Sequence, residues 1–319
     1  MNDHSANLRG VYCILIGLVI ITLQDSTIKW LSPYYALHLV MVGRGVVALG
    51  ITLLILRAEG GLHLVRTKHL GWHLIRGFML FIANMTFFLA AATLPLAEVV
   101  AIFFVAPLLI TALSVPLLGE SVGPRRWVAV LLGLLGVVVM MRPAAGEFRW
   151  VTLLPVVAAT AYTCMQLLSR KLGATDKAST MAFYVQITFV ILSLGVGCTI
   201  GDGRFAGDTN ASLEFLLRPW HIPLWQDWWL FIWCGIGSGV GGYLLGQAYR
   251  LGEPSAVAPF EYVALPLSVI WGVLFFDDWP DTTAFAGMAL ILGSGLYILY
   301  REKIRDRALV SERPMPRNR

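Results

Sequence analysis

Long apolar runs recur along the whole chain, each bounded by charged or turn-forming residues. A helix needs about 20 mostly apolar residues to cross the hydrocarbon core of a bilayer. Ten runs reach or approach that length, so the pattern predicts an all-α integral membrane protein with ten transmembrane helices. We number them spans 1 to 10, at residues 10–31, 34–56, 77–96, 98–118, 127–141, 151–169, 178–200, 228–249, 255–276 and 282–300.

The composition excludes a water-soluble protein. Of the 319 residues, 57% are hydrophobic and 13% are charged, whereas a soluble domain carries about 25% charged residues. Asp25 and Lys29 interrupt the end of the first run and no small-residue cleavage site follows it, so we interpret it as a retained span and not as a signal peptide. The four cysteines all fall inside spans without a CxxC pair and indicate neither disulfides nor a metal site.

Basic residues predict the orientation. The side that holds the N-terminal tail carries 18 of the 24 Lys and Arg residues, and the opposite side carries five. Because positive loops stay in the cytoplasm, both termini are predicted to be cytoplasmic, which requires an even number of spans. The protein is therefore expected in a bacterial-type inner membrane. The basic tail at 301–319 follows a span directly, so we interpret it as an anchor to the lipid headgroups and not as a nucleic-acid site.

The second half of the chain repeats the first. Ala91–Ala101 aligns with Ala248–Ala258 at an offset of 157 residues, and Pro107 then falls opposite Pro266. This predicts two five-helix modules, at residues 1–145 and 146–300. Because five is odd, the second module must cross the membrane upside down relative to the first, which is the inverted repeat of many secondary transporters.

The chain resembles the EamA family of the drug/metabolite transporter superfamily over residues 10–300. The resemblance rests on Asp25–Lys29 closing span 1, on Arg44 in span 2, and on Leu94–Pro107, which runs on to Glu120. Glu253–Pro266 repeats that pattern in the second module. The resemblance implies a transporter of small molecules without a cofactor. It leaves the substrate open, because relatives include exporters of amino acids and importers of S-adenosylmethionine or riboflavin.

Charged residues inside spans are costly and usually face a partner or a water-filled cavity. The candidates of this kind are Asp25, Lys29, Arg44, Glu98 and Glu261. Asp25 and Lys29 lie four residues apart on one helix and could simply neutralise each other. Arg44 needs a carboxylate or several carbonyls, and we name Glu261 or Asp25 as its partner. The same charges could hold a zwitterionic amino acid, with its carboxylate on Arg44 and its ammonium on Glu261.

Polar and aromatic residues within the spans are candidates for the cavity lining, although each could instead form an interhelical hydrogen bond. They are Asn84, Phe88, Tyr162, Gln166, Tyr184, Gln186, Tyr243, Gln247, Tyr262 and Trp271. Prolines within repeat-related spans are candidate hinges, because each frees a backbone carbonyl and loosens its helix. These are Pro107 and Pro116 in span 4 and Pro259 and Pro266 in span 9.

Other chemistry is disfavoured. Gly237–Gly242 matches a dinucleotide fingerprint, but it lies inside span 8 and not between a strand and a helix, so we interpret its glycines as close-packing positions. His63, His69 and His73 share a basic loop without cysteines or acidic residues, which argues against a metal site. An intramembrane enzyme remains a weak alternative, since the spans hold neither a serine and histidine pair nor two close aspartates.

The function predicted from the residues and the resemblance is export of amino acids, including apolar and aromatic ones such as methionine, by alternating access between the modules. Import of a larger metabolite such as S-adenosylmethionine or riboflavin is the alternative. A carboxylate in a partly dry cavity can carry a proton, so proton coupling through Glu261 or Asp25 and uncoupled transport both stay open. Because one chain holds both modules, we predict a functional monomer.

Overall fold

A computed structural model describes residues 3–118, 123–141, 150–172, 178–207, 210–251 and 257–305, and the regular structure of these residues is helical. The α-helices are Asp3–Leu31, Leu37–Glu59, Leu70–Ala91, Leu96–Phe103, Ala106–Leu118, Pro124–Met141, Leu154–Leu172, Ala178–Ile200, Ala211–Leu217, Trp228–Ile236, Gly242–Leu251, Ala264–Phe276 and Thr282–Arg305. Short 3-10 helices occupy Leu62–Val65, Trp150–Leu153, Trp225–Asp227 and Ala258–Val263, and Gly237–Gly241 forms a π-helix.

Within the described residues, eight helical segments are long and apolar enough to cross a membrane, and they coincide with spans 1 to 4 and 6 to 9. The helices at spans 5 and 10 contribute shorter apolar stretches, Trp127–Met141 and Thr282–Ile298. The predicted all-α integral membrane class is confirmed. The count of ten spans stays a prediction, as does the module boundary at residues 145 and 146, which lies outside the described residues together with Glu120 and the tail beyond 305.

Span 3 begins earlier than the sequence predicted, at Leu70 instead of residue 77. His73 and Arg76, predicted to lie in a loop, are therefore helical. The helix tolerates them because both are buried and partnered: Arg76 Nε donates to Ser169 Oγ over 2.9 Å, and the His73 ring stacks on Tyr184 at 4.9 Å. Tyr184 also donates to the Val65 carbonyl, so it ties a loop to span 7.

Two spans are interrupted near their prolines. Span 4 breaks at Phe104 and Val105, between helices Leu96–Phe103 and Ala106–Leu118, and Pro107 follows directly. Span 9 opens with the 3-10 helix Ala258–Val263, which has Pro259 in its first turn, before the α-helix that contains Pro266. A proline cannot donate the backbone hydrogen bond that continues a helix, which accounts for both irregular segments. Pro116 lies within the second helix of span 4 and does not break it.

The glycines of span 8 let it approach two neighbours, as predicted. A Cβ on Gly235 or Gly239 would lie within 3 Å of Val47 or Ile51 on span 2. A Cβ on Gly237 or Gly241 would come equally close to Gln24 or Ile21 on span 1. Small residues on alternating sides of the π-helix thus hold span 8 between spans 1 and 2.

Helix packing follows a pattern expected for two related halves. Span 1 packs on span 8 and span 6 packs on span 3, while span 3 packs on span 7 and span 8 packs on span 2. Spans that differ by five are equivalent in the predicted repeat. The pair of spans 1 and 8 is therefore equivalent to the pair of spans 6 and 3, and the pair of spans 3 and 7 is equivalent to the pair of spans 8 and 2. Spans 2 and 7 pack together, as do spans 5 and 10. Equivalent spans of the two predicted modules therefore have equivalent packing neighbours.

The connections fall on two sides of the bundle. We call the side of the N-terminus the near side and the side where span 1 ends the far side. Residues 201–207 and 210–226 cover the far side, where Arg218 Nη1 donates to the Ser32 carbonyl and Ser212 Oγ donates to the Leu89 carbonyl. Most tryptophans at helix ends face outward, as an interfacial belt requires: Trp30, Trp72, Trp127, Trp150, Trp228, Trp229 and Trp279 are all exposed.

Candidate substrate site

Arg44 is the centre of a first cluster inside the bundle. The residue is only 7% exposed, and its Nη2 donates to Asn84 Oδ1 over 2.5 Å. Its guanidinium carbon lies 5.5 Å from the ring centroid of Phe88 and 4.9 Å from that of Phe189. Spans 2, 3 and 7 therefore share this cation, which is stabilised by an amide oxygen and two aromatic rings.

Asp25 joins this cluster from span 1. It is half-buried, close enough to Arg44 for the two charges to attract, and 3.4 Å from the side-chain amide of Gln24. Ser238 in turn donates to Gln24 Oε1 over 2.8 Å. The acidic and basic groups of the Arg44 cluster are thus neighbours without an ion pair at contact distance.

Glu261 is the centre of a second cluster, nearer to the near side. It lies in the 3-10 helix of span 9, and its Oε1 accepts a hydrogen bond of 2.6 Å from the Tyr249 hydroxyl of span 8. Its charge also acts on Tyr162 of span 6 and on its neighbour Tyr262. The carboxylate therefore bonds one phenol, and two more phenols, from spans 6 and 9, lie within range of its charge.

Aromatic rings and an amide extend the Glu261 cluster toward span 4. The Tyr162 hydroxyl accepts a bond of 3.0 Å from Gln166 Nε2, and its ring lies 5.3 Å from Phe103. Phe104, at the break in span 4, lies 5.2 Å from the Tyr262 ring at an interplanar angle of 32°. The irregular backbone of span 4 therefore directs an aromatic surface at the phenols of spans 6 and 9.

The position of Tyr262 is fixed by span 10. Its hydroxyl lies against Gly295 so closely that a Cβ there would come within 1.7 Å of it. Tyr262 is 6% exposed, whereas Tyr162, Gln166 and Glu261 are half-buried although they face other spans. Partial exposure of such inward-facing groups indicates a space between the spans that water can enter.

The remaining predicted site residues lie apart from these clusters. Trp271 Nε1 donates to Thr22 Oγ1 over 3.0 Å and the ring stacks on Phe275, which ties span 9 to span 1. Glu98 is buried on the far side, where its charge acts on Lys29. Gln247 is half-buried, and Tyr243 is 41% exposed, without a described bond to either cluster.

Two pairings suggested by the sequence differ in the structure. Lys29 does not pair with Asp25 one turn away but with Asp278, over 2.8 Å, because its side chain extends toward the far-side loops. Arg44 interacts with Asp25, whereas its other suggested partner, Glu261, is bonded to Tyr249. Four further aromatic residues of the clusters are not predictable from the sequence, because neither their spacing nor their type separates them from ordinary lipid-facing aromatics: Tyr249, Phe103, Phe104 and Phe189.

A bundle of apolar helices with interrupted spans and buried charged residues is typical of membrane transporters. The family comparison agrees with that class: residues 8–142, which hold spans 1 to 5, match the EamA-like transporter family. This part of the chain is therefore similar to the family that its residues resemble.

Relatives match almost the whole chain. A riboflavin transporter from Vibrio cholerae is 29% identical over 304 residues, which cover 94% of this chain and 96% of the relative. An S-adenosylmethionine uptake transporter from Rickettsia prowazekii is 26% identical over 304 residues, covering 95% of this chain and 97% of the relative. A solved structure titled only as the crystal structure of a protein shares the fold, with a TM-score of 0.63, 20% identity, and coverage of 96% of this chain and all of that one.

Proposed function

We propose that the protein imports a metabolite with a fused heteroaromatic ring, of the kind represented by riboflavin and S-adenosylmethionine. The observation that carries the proposal is the Glu261 cluster, in a chain whose full-length relatives are named for these two compounds. This replaces export of amino acids as the preferred function. The two compounds share a flat ring system with an N–H donor at its edge, and the cluster suits such a ring.

The side chains of the Glu261 cluster can bind both the edge and the face of such a ring. The Glu261 carboxylate can accept a hydrogen bond from the ring edge, and charge-assisted hydrogen bonds are stronger than neutral ones. The rings of Tyr162, Tyr262 and Phe104 offer faces for stacking, which favours offset or tilted aromatic pairs with centroids about 4.5–7 Å apart. Gln166 supplies both a donor and an acceptor beside Tyr162.

The Arg44 cluster would hold the polar remainder of the substrate. An amino-acid group could place its carboxylate toward Arg44 and its ammonium toward Asp25. S-adenosylmethionine has such a group, whereas riboflavin has a neutral chain of hydroxyls. The two clusters together therefore fit S-adenosylmethionine by charge, and riboflavin mainly through the Glu261 cluster.

The transport cycle that we propose is alternating access, with the substrate between the two predicted modules of a monomer. The interruptions at Pro107 and at Pro259 are the proposed hinges, because broken helices bend at lower cost than regular ones. By the positive-inside rule the near side is cytoplasmic, in a bacterial-type inner membrane. The Glu261 cluster would then face the cytoplasm and the Arg44 cluster would lie closer to the exterior.

Export of amino acids is the second candidate, favoured by one observation: Asp25 and Arg44 alone could hold a zwitterion. Counterflow into proteoliposomes separates the two functions. Each vesicle preparation is loaded with a single unlabelled compound and placed in a solution of labelled riboflavin or S-adenosylmethionine. Label should accumulate inside the vesicles that were loaded with either of these two ring compounds. Exchange driven by methionine, threonine or aromatic amino acids, without exchange of the two ring compounds, would contradict the import proposal.

A further inference from the structure

Lys29 joins three separate segments on the far side of the bundle. Its Nζ lies 2.8 Å from Asp278 Oδ2, in the loop after span 9, and donates to the Leu94 carbonyl, in the loop before span 4, over 2.7 Å. The ammonium also lies 4.9 Å from the ring centroid of Phe276, and the Glu98 carboxylate of span 4 is near enough to attract it. One side chain therefore contacts both members of the repeat-related pair of spans 4 and 9.

The Lys29 contacts are well shielded from solvent. The side chain of Lys29 is 12% exposed and that of Asp278 is 28% exposed. A surface ion pair contributes little because water and salt screen it, whereas a partly buried and multiply bonded ammonium interacts more strongly with its partners. Lys29 is thus held by directed bonds and not merely by general attraction.

Spans 4 and 9 are close on the far side and packed on different neighbours on the near side. The far-side helix Leu96–Phe103 of span 4 packs against Ala264–Phe276 of span 9. On the near side, Ala106–Leu118 packs mainly on spans 5 and 6, and the 3-10 helix Ala258–Val263 packs on spans 1 and 10. Spans 4 and 9 therefore contact each other on the far side, where Lys29 lies.

The bonds of Lys29 are of two kinds with respect to this junction. The Lys29–Asp278 pair crosses between the two predicted modules, because Lys29 belongs to span 1 and Asp278 follows span 9. The bond to the Leu94 carbonyl, and the attraction to Glu98, stay within the first module and connect span 1 to the start of span 4. Lys29 therefore links span 4 to the loop after span 9 only while both bonds are made.

We propose that Lys29 is the far-side latch of the transporter. It holds spans 4 and 9 together by bonding Leu94 and Asp278 at once when the near side is accessible, and it releases Asp278 when the far side opens. This goes beyond the proposed function, because it concerns how access alternates and holds for any substrate. A ligand or a side chain shifts such an equilibrium only through contacts that differ between the two states, and the pair of Lys29 and Asp278 is that contact.

A distance measurement across the junction tests the latch without any substrate. Spin labels on Ala92→Cys and Trp279→Cys, with the native cysteines replaced by alanine, report the separation of the two far-side loops in lipid nanodiscs. We expect the parent protein to show mainly a short distance. Lys29→Met should raise the population at a longer distance about tenfold, the shift that corresponds to losing a contact worth about 1.4 kcal/mol. Asp278→Asn should give a smaller shift, because the asparagine side-chain oxygen can still accept a hydrogen bond from Lys29.

The matched control is Asp202→Asn, which removes half of an exposed far-side ion pair with Arg204 and should leave the distances unchanged. Equal distance distributions for Lys29→Met and the parent would overturn the latch, as would an equal shift in the Asp202 variant. If Lys29→Met does not fold, Asp278→Asn decides, and an unchanged distribution in that variant overturns the proposal. Because no substrate is present, these outcomes are independent of whether riboflavin or S-adenosylmethionine is transported.

Discussion

The hydroxyl of Tyr249 on span 8 donates a 2.6 Å hydrogen bond to Oε1 of Glu261 on span 9. A carboxylate inside a membrane protein is costly unless it is bonded or reaches water, and this bond meets part of that cost. It also orients the carboxylate, whose charge acts on Tyr162 across the bundle. The pair therefore sets the direction from which a ring-edge donor can approach Glu261.

Removing the Tyr249 hydroxyl should weaken substrate binding. We expect Tyr249→Phe to raise the KM for riboflavin and S-adenosylmethionine uptake about tenfold, because a hydrogen bond to a charged group contributes about 1.5–3 kcal/mol. The measurement is initial uptake rate against concentration in proteoliposomes. Tyr12→Phe, at an exposed phenol on span 1, is the control and should keep the parent KM. Equal KM values for both variants would argue against an orienting role.

A substitution on span 10 should displace the Tyr262 ring while every side chain of the Glu261 cluster keeps its chemical identity. In Gly295→Ala the new methyl group would collide with the Tyr262 hydroxyl, whereas Gly293→Ala meets no atom within 4 Å. Because a displaced ring no longer stacks beside Phe104, we expect uptake to fall about tenfold in Gly295→Ala and to persist in Gly293→Ala. Thermal unfolding of both purified variants would check that the loss is local. Full uptake by Gly295→Ala would mean that the ring position is unimportant.

The two clusters should differ in the substrate that they affect. Asp25→Asn keeps the shape of the side chain and removes its charge, so it should reduce S-adenosylmethionine uptake about tenfold by weakening the interaction with an ammonium group. Riboflavin has no ammonium, and its uptake should fall less than about twofold. The comparison uses both labelled compounds on one protein preparation. Equal losses for the two substrates would contradict the division of roles between the clusters.

Close packing of span 8 should appear in stability. A Cβ at Gly235 would lie 2.3 Å from Val47 Cβ and 3.0 Å from the Arg44 carbonyl, whereas Gly242 meets nothing within 4 Å. Overpacking costs about 1–3 kcal/mol, against a helix-propensity gain of about 1 kcal/mol for alanine. Because Val47 Cβ and a backbone carbonyl cannot easily move, we expect Gly235→Ala to lower the unfolding temperature in detergent. Gly242→Ala should leave it unchanged or raise it.

The sequence predicted the spans well because their physical cause is local. A membrane helix is recognised from about 20 apolar residues in a row, and eight described segments coincide with predicted spans. The spacing of small residues likewise predicted the close approach of span 8. The start of span 3 was wrong because buried partners, Ser169 for Arg76 and Tyr184 for His73, allow polar residues into the helix. Such partners are distant in sequence and invisible to a local pattern.

The candidate clusters were predictable only in part. Unusual residue types inside spans identified Asp25, Arg44 and Glu261, because a charge is conspicuous there. Tyr249 and Phe104 became visible only from the fold, since aromatic residues are common in membrane helices and only packing decides which face the interior. The Lys29–Asp278 pair joins residues 249 positions apart, a separation that no spacing rule covers.

Uptake of labelled riboflavin and S-adenosylmethionine by proteoliposomes tests the central claim most directly, with the parent protein, Glu261→Gln and Arg44→Ala compared at equal amounts of inserted protein. The account predicts saturable uptake of at least one compound by the parent protein above protein-free vesicles. It also predicts a loss of about tenfold or more in Glu261→Gln for either compound, and a loss in Arg44→Ala that is larger for S-adenosylmethionine. Uptake no faster than in protein-free vesicles, or full uptake by Glu261→Gln, would contradict it.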